Sequence, residues 1–392
     1  MWIKRDISNF ITQQKELIQV LRGPRQCGKS SLFLRLDSDF TELSLDDPQL
    51  RLLAQNDPEV FLSAFAEKNI FIDEIQYAPN LLPSLKRKVD LFKRSNKPLK
   101  TIIRLTGSNQ ILMDKHIKES LAGRANFFNL NTLSIHEILN HSEFSIQKII
   151  YYGGWPELYA RKNISVKKYL DDYISSYIEK DIVLAAGIQK RNQFLKFVQL
   201  LAGRVGNLLN YDNLAKQVGV KSQTIVEWVS ILEKMHIISL LQPFNTNLSS
   251  RLTKSPKIFF LDTGLACRLQ GWTSAEAILT SPQQGGLFEN LVYTELYKLI
   301  SNYGLDWKIF HWRTKDGEEV DFLLQTSPTN YLFLEAKVSH QSLNAIDQYR
   351  EVKRVFSKNI PKVFLCHQEG SMVLKNNIPI KKLSEFLLKE FS

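Results

Sequence analysis

One stretch limits what this chain can fold into more than any other. An apolar run, Leu17-Ile18-Gln19-Val20-Leu21-Arg22, leads into Gly23-Pro24-Arg25-Gln26-Cys27-Gly28-Lys29-Ser30, and a helical pattern continues through Ser31 and Leu32. A strand, then G-x-x-x-x-G-K-S, then a helix is the setting of a phosphate-binding P-loop. Gly23 and Gly28 let the backbone curl so that successive N–H groups point inward at phosphate oxygens. The helix that opens near Lys29 aims its positive end at the same place. Lys29 is expected on the β- and γ-phosphates of ATP, with the Ser30 hydroxyl at a Mg²⁺ position. Pro24, Arg25, Gln26, Cys27 and Ser31 complete the expected nucleotide-binding loop. The bland alternative is a glycine turn between a strand and a helix.

A second motif lies further along. Asn69-Ile70-Phe71-Ile72-Asp73-Glu74 reads as a buried parallel strand ending in two carboxylates. That ending is costly unless the acids serve a cation or a reactant. Asp73 is expected to hold Mg²⁺ and Glu74 to orient the water that attacks the γ-phosphate. The acid pair favours a hydrolysing machine over a slow switch. The stretch 100–109 reads as another strand with polar residues at its C-terminal end, where open α/β sheets bind ligands. Ser108 and Asn109 are therefore candidate γ-phosphate or water sensors, and Ser108 also suits a helix N-cap. Arg124, after Ser120-Leu121-Ala122-Gly123, is placed to approach a phosphate in its own or a neighbouring subunit, or to be a plain surface arginine. The helix expected over 78–95 carries Lys86, Arg87, Lys88, Lys93 and Arg94, a nucleic-acid patch or a solvated face. Residues 1–16 read as a short amphipathic helix covering a sheet edge.

A length of 392 residues favours two or three domains. The formal net charge of +11 suits an anionic partner such as DNA, and equally a solvated cytoplasmic surface. The three cysteines, Cys27, Cys267 and Cys366, form no metal or disulfide spacing, which fits a reducing compartment. No signal-peptide core opens the chain and no apolar run reaches membrane-spanning length. The expected location is the cytoplasm, without a membrane partner.

Tyr151-Tyr152-Gly153-Gly154-Trp155-Pro156-Glu157 is a sharp break. It suggests units at 1–150, 151–250 and 251–392. The middle unit begins helical, with Tyr169, Tyr173, Tyr177 and Ile178 at helical spacing as core. Residues 211–241 then read as helix, glycine turn, helix and strand, the order of a winged helix-turn-helix. Lys221, Ser222, Gln223 and Thr224 open the second helix, where DNA contacts would arise. A packing module without DNA contact is the alternative.

The last unit reads as a long helix, three strands, a helix near 342–356 and a strand. Asp321 lies on one strand, Glu335 and Lys337 on the next, and period-two geometry puts the latter pair on one face. Two carboxylates on a divalent cation, beside an ammonium, can activate water for phosphodiester attack. Glu289 on the long helix is a further candidate ligand of that second metal. The alternative is a structural Lys–Glu pair on an edge strand.

Taken together, G-P-R-Q-C-G-K-S-S (23–31), F-I-D-E (71–74), L-T-G-S-N (105–109), S-L-A-G-R (120–124), Y-G-G-W-P-E (152–157), F-L-D-T-G-L (260–265), F-E-N-L-V (288–292), E-V-D-F (319–322) and L-E-A-K (334–337) cover nearly the whole chain. In them the chain resembles the AAA-type P-loop ATPases of bacteria and archaea that end in a restriction-endonuclease-like domain of unknown function. The resemblance implies an α/β protein with an N-terminal ATPase sheet, a helical and winged-helix middle and a C-terminal α/β nuclease-like domain. It implies ATP binding by Gly28, Lys29 and Ser30, hydrolytic roles for Asp73 and Glu74, and nuclease-type positions at Glu289, Asp321, Glu335 and Lys337. Where the nuclease pattern often has proline before its first aspartate, this chain has Val320. The function expected is a Mg²⁺-dependent ATPase coupled to a nucleic-acid-associated nuclease-like domain. The alternative is a nucleotide-controlled switch that binds DNA or protein and cuts nothing. An RNA or protein partner and an oligomeric state stay open.

Overall fold

A computed structural model describes residues 2–14, 16–95, 101–107, 120–244, 255–313, 319–338, 362–366, 372–373 and 379–389. The first unit is built on a five-stranded sheet of β1 (Ile18–Arg22), β2 (Phe40–Ser44), β3 (Asn69–Asp73), β4 (Ile103–Thr106) and β5 (Ala125–Asn129). All neighbours run parallel, in the order β2-β3-β4-β1-β5. A parallel sheet is covered on both faces, so its inner strands are continuous apolar runs: Ile18, Val20 and Leu21 of β1 and Ile70, Phe71 and Ile72 of β3 are buried. The order brings the C-terminal ends of β1, β4 and β3 side by side, and that edge carries the P-loop and the acid pair.

The N-terminal helix is shorter than the expected span, Ser8–Gln13. Ile7 and Ile11 pack with Leu21, Phe33 and Phe71 against one face of the sheet. Two helices after β2, Pro48–Asn56 and Pro58–Ser63, start where Asp47 and Asp57 cap the free N–H groups ahead of a first-turn proline.

The middle of the chain is helical. Val166–Tyr173 runs on into a π-helical segment, Ile174–Ile182. The aromatic stripe is core: Tyr173 and Tyr177 are buried, and the Trp155 and Tyr173 rings lie 4.4 Å apart. Tyr211–Val218 ends at Gly219, whose φ of +81° closes the helix before Ser222–Lys234 begins. The strand that follows, β6 (Ile238–Leu241), pairs antiparallel with β7 (Lys257–Phe260). The boundary expected at 250 thus falls between two paired strands.

The helix Gln284–Tyr303 opens the last unit. Its sheet is mixed: β8 (Lys308–Arg313), β9 (Glu319–Gln325) and β10 (Tyr331–Ala336) are antiparallel neighbours, and β11 (Lys362–Cys366) lies parallel to β10. β12 (Met372–Val373) and β13 (Pro379–Lys382) extend the far edge to the order β12-β13-β11-β10-β9-β8. The helix expected near 342–356 lies outside the described residues. One continuous core joins the middle to the last unit, running from Leu133 and Trp155 through Tyr173 and Phe259 to Leu291, Phe322 and Phe386.

Candidate functional site

The P-loop leaves β1 with backbone that only glycine tolerates. Gly23 has φ +152°, and a Cβ there would lie 2.0 Å from the Leu130 carbonyl oxygen. Gly28, at φ +95°, caps the helix Lys29–Leu36. The loop is satisfied from within: the Lys29 ammonium donates to the Gly23 carbonyl at 3.0 Å and the Pro24 carbonyl at 2.8 Å. The Ser30 hydroxyl donates to Asp73 Oδ2 at 2.7 Å. Glu74 follows with φ +57°, its carboxylate on the Gln76 amide. The structure therefore brings Lys29, Ser30, Asp73 and Glu74 to one edge. A hydroxyl and a carboxylate directed at each other are hard oxygen donors, and they fit Mg²⁺.

Two members of this site were not among the candidates. Thr106, at the end of β4 between β1 and β3, donates its hydroxyl to Asp73 Oδ1. Sequence reasoning looked two and three residues further on, to Ser108 and Asn109, which lie outside the described residues. Arg5 is the other. It is buried, and its guanidinium donates to the Cys27 carbonyl at 2.8 Å, the Asn131 carbonyl at 2.6 Å and Glu137 Oε1 at 3.0 Å. It holds the underside of the P-loop. Glu137 in turn completes the capping box of the helix Ile135–Leu139, which Ser134 opens. Nothing in the residues around position 5 marks this contact, because its partners lie 22 to 132 positions away.

The remaining loop positions divide by exposure. Cys27 is buried, with its thiol toward the Leu130 carbonyl at 3.4 Å. Arg25, Gln26 and Ser31 are exposed. Arg25 forms an ion pair with Asp181 of the π-helical segment, a residue without any motif. Arg124 forms a two-pronged pair with Asp90, at 2.7 and 3.2 Å. Its hydrogen bond keeps the Asp90 carboxyl below the usual carboxylate range. Of the basic helix Leu81–Ser95, Lys93 caps the turn at Gly123 through its carbonyl at 2.9 Å. In the helix-turn-helix, Ser222 bonds Asp212 and Gln223 reaches Glu227 at 3.3 Å, so two of the four expected contact residues face acidic neighbours.

The C-terminal residues also converge. The β9–β10 register pairs Phe322 with Leu334, which places Asp321 against Glu335. Asp321 Oδ2 accepts from the Ala336 N–H at 2.9 Å, and Lys337 bridges Asp321 at 3.3 Å and Glu335 at 3.0 Å. Burial opposes the charge of Lys337, but Asp321 and Glu335 outweigh it and hold its pKa above that of an ordinary lysine. Glu289, from the helix Gln284–Tyr303, meets a different ammonium: Lys257 of β7 lies 2.8 Å from Glu289 and 2.6 Å from Glu319. Burial first, then Asp321, pushes Glu289 up to about 7, against the lowering pull of Lys257. The second divalent ion expected here finds no ready site. Among the described residues no group of three or more His, Cys, Asp or Glu side chains is arranged to hold a metal. Lysines stand between the carboxylates instead. Lys257 belongs to no motif, and only the pairing of β7 brings it here.

Three family models match successive parts of the chain. Residues 15–139 match the family described as AAA domain. Residues 143–276 match a domain of unknown function, DUF8612, and residues 284–385 another, DUF4143. An uncharacterized protein of Mycobacterium tuberculosis is 27% identical over 329 residues, 83% of this chain and 72% of its own length. One of Methanocaldococcus jannaschii is 25% identical over 415 residues, 97% of this chain and 87% of its own. Among solved structures, a Walker-type ATPase of Pyrococcus abyssi aligns with a TM-score of 0.41 at 15% identity, covering 68% of this chain and 95% of that one. RuvB of Thermotoga maritima aligns at 0.29 and 15%, over 60% and 85%. The part that matches the AAA domain family is the part that carries the P-loop and the five-stranded parallel sheet. Among the described residues no helix is long and apolar enough to cross a membrane.

Proposed function

We propose that this chain is a Mg²⁺-dependent ATPase whose nucleotide state controls a nucleic-acid-associated C-terminal domain. The observation that carries the reading is the meeting of Lys29, Ser30, Asp73 and Glu74 at the C-terminal edge of one parallel sheet. On binding ATP, Lys29 exchanges the Gly23 and Pro24 carbonyls for β- and γ-phosphate oxygens. The loop N–H groups and the start of the helix Lys29–Leu36 orient the phosphates. Ser30 and Asp73 would hold Mg²⁺, which supplies charge neutralisation at the phosphates. Glu74 leaves Gln76 and takes the attacking water as its hydrogen-bond partner. Arg124 would have to leave Asp90 to reach a phosphate, and Ser108 and Asn109 keep the sensor role proposed for them.

The route to the C-terminal domain runs along the helix Gln284–Tyr303. The Glu295 carboxylate accepts the Ile135 N–H at 2.7 Å, Lys298 donates to the Leu133 carbonyl at 2.8 Å, and Ser301 donates to the Asn129 carbonyl at 2.8 Å. Asn129 ends β5, the neighbour of β1. The same helix carries Glu289. The nuclease reading of that domain rests on the resemblance and on the convergence of Asp321, Glu335 and Lys337. Control of binding without cleavage is the reading favoured by Lys257, which pairs with Glu289 and Glu319. The excess positive charge suits an anionic partner such as DNA, with an RNA or protein partner left open.

ATP turnover with Mg²⁺, measured alone and with single-stranded DNA, duplex DNA or RNA, tests the proposal. Glu74→Gln is expected to lower kcat by about 10²-fold or more while ATP still binds. Stimulation by a nucleic acid supports the coupling, and cut strands on a gel would establish the nuclease. Turnover that ignores every nucleic acid would turn the search to a protein partner.

A further inference from the structure

Lys257 is 3% exposed, yet it carries a charge. A buried ammonium is tolerated only when carboxylates surround it closely. Here Glu289 and Glu319 contact it directly, and Asp321 adds to the same field. We infer that Lys257 is the resident cation of the C-terminal carboxylate cluster, standing where a divalent ion would have to bind and keeping such an ion out. This goes beyond the proposed ATPase, and it stands or falls without reference to turnover.

Three observations carry it. First, the lysine is not a loose tether. β7 pairs with β6 in the register Leu241–Lys257, and on its other side residue 208 bridges to Lys257. The Leu209 N–H donates to the Pro256 carbonyl at 2.8 Å, and the Gly206 N–H to the Ile258 carbonyl at 2.9 Å. Second, Glu289 is pressed against that same segment. Gly206 has φ +78°, and a Cβ there would lie 3.0 Å from Glu289 Oε2. The glycine makes room for the carboxylate to reach the lysine. Third, the charges already oppose one another. The carboxylates Glu289, Glu319, Asp321 and Glu335 face the ammonium groups of Lys257 and Lys337, and Arg313 lies 3.7 Å from Glu319. A divalent ion would have to bind beside a fixed, buried ammonium, which repels it strongly at low dielectric. An ammonium has no open coordination position, so it cannot activate a water as a metal does.

Mn²⁺ titration of the nucleotide-free full-length chain tests this, by calorimetry and by thermal melting. Wild type and Asp321→Asn are expected to take up Mn²⁺ identically. Lys257→Met keeps the side-chain length and removes the charge. It is expected to gain a site about tenfold or more tighter than anything Asp321-dependent in wild type. Saturating Mn²⁺ then raises its Tm by several degrees, and the gain disappears in Lys257→Met with Asp321→Asn. A site in wild type that Asp321→Asn removes would overturn the proposal, as would a folded Lys257→Met that gains none. If Lys257→Met does not fold, Lys257→Gln takes its place in the same titration and is read in the same way, and a site in wild type that Asp321→Asn removes overturns the proposal without either variant.

Discussion

Arg5 shows how much one side chain can decide. Its three donors go to the Cys27 carbonyl beneath the P-loop, the Asn131 carbonyl and the Glu137 carboxylate, all in a buried setting. Glu137 also receives the N–H groups of Asp6 and Ser134, at 2.7 and 2.8 Å. Removing the guanidinium leaves a buried carboxylate without its cation and two carbonyls without donors. Arg5→Met is expected to cost about 3 kcal/mol in urea unfolding. It should also weaken ATP binding, because Cys27 then holds its place in the loop with less support. A loss of stability with unchanged nucleotide affinity would separate Arg5 from the site. The residues proposed to bear the phosphate chemistry were legible in the sequence, since Lys29, Ser30, Asp73 and Glu74 sit in local motifs that need particular residue types in a fixed order. Arg5 and Lys257 were not, because each acts across a distance in sequence that no local pattern encodes.

Among elements, the helix Gln284–Tyr303 does the most joining. Its first half carries Glu289 toward the C-terminal sheet, and its last three turns carry Glu295, Lys298 and Ser301 toward the ATPase unit. Lys298 and Glu295 are both buried and 2.9 Å apart. Burial raises the Glu295 carboxyl, with Lys298 the main opposing influence. Lys298→Met takes away that influence and the donor to the Leu133 carbonyl. The expected outcome is a loss of about 3 kcal/mol. Faster hydrogen exchange should follow over residues 133–139, with any stimulation of ATP turnover by nucleic acid reduced. Protection unchanged at those amides would place the coupling elsewhere. The sequence showed this helix as a long amphipathic run, but not which turn faces which unit. Both ends bury apolar residues, and the partners of each end come from segments far apart in the chain.

For the whole molecule, the buried carboxyls tie stability to pH. Glu289 titrates near 7 in the folded chain and near 4.5 when exposed. Between those values the native state holds the extra proton, so this group's contribution is full below about 4.5 and fades as pH rises through about 7. Relative to Glu289→Gln, wild type is expected to lose up to about 3 kcal/mol of stability across that interval, read from urea unfolding at several pH values. A constant difference between the two proteins would show that Glu289 does not carry the effect. The same whole-chain view separates what pattern and packing each settle. The sequence by itself determined the P-loop, its acid pair, the parallel α/β sheet around them and the convergence of Asp321, Glu335 and Lys337. These follow from residue types at fixed spacing and from the two-residue period of strands. Tertiary structure alone decided that Thr106 bonds Asp73, that Arg124 pairs with Asp90, and that Lys257 stands among the C-terminal carboxylates. Long-range strand order and helix packing set those contacts, and a buried charge finds its partner only when the segments that carry both are brought together.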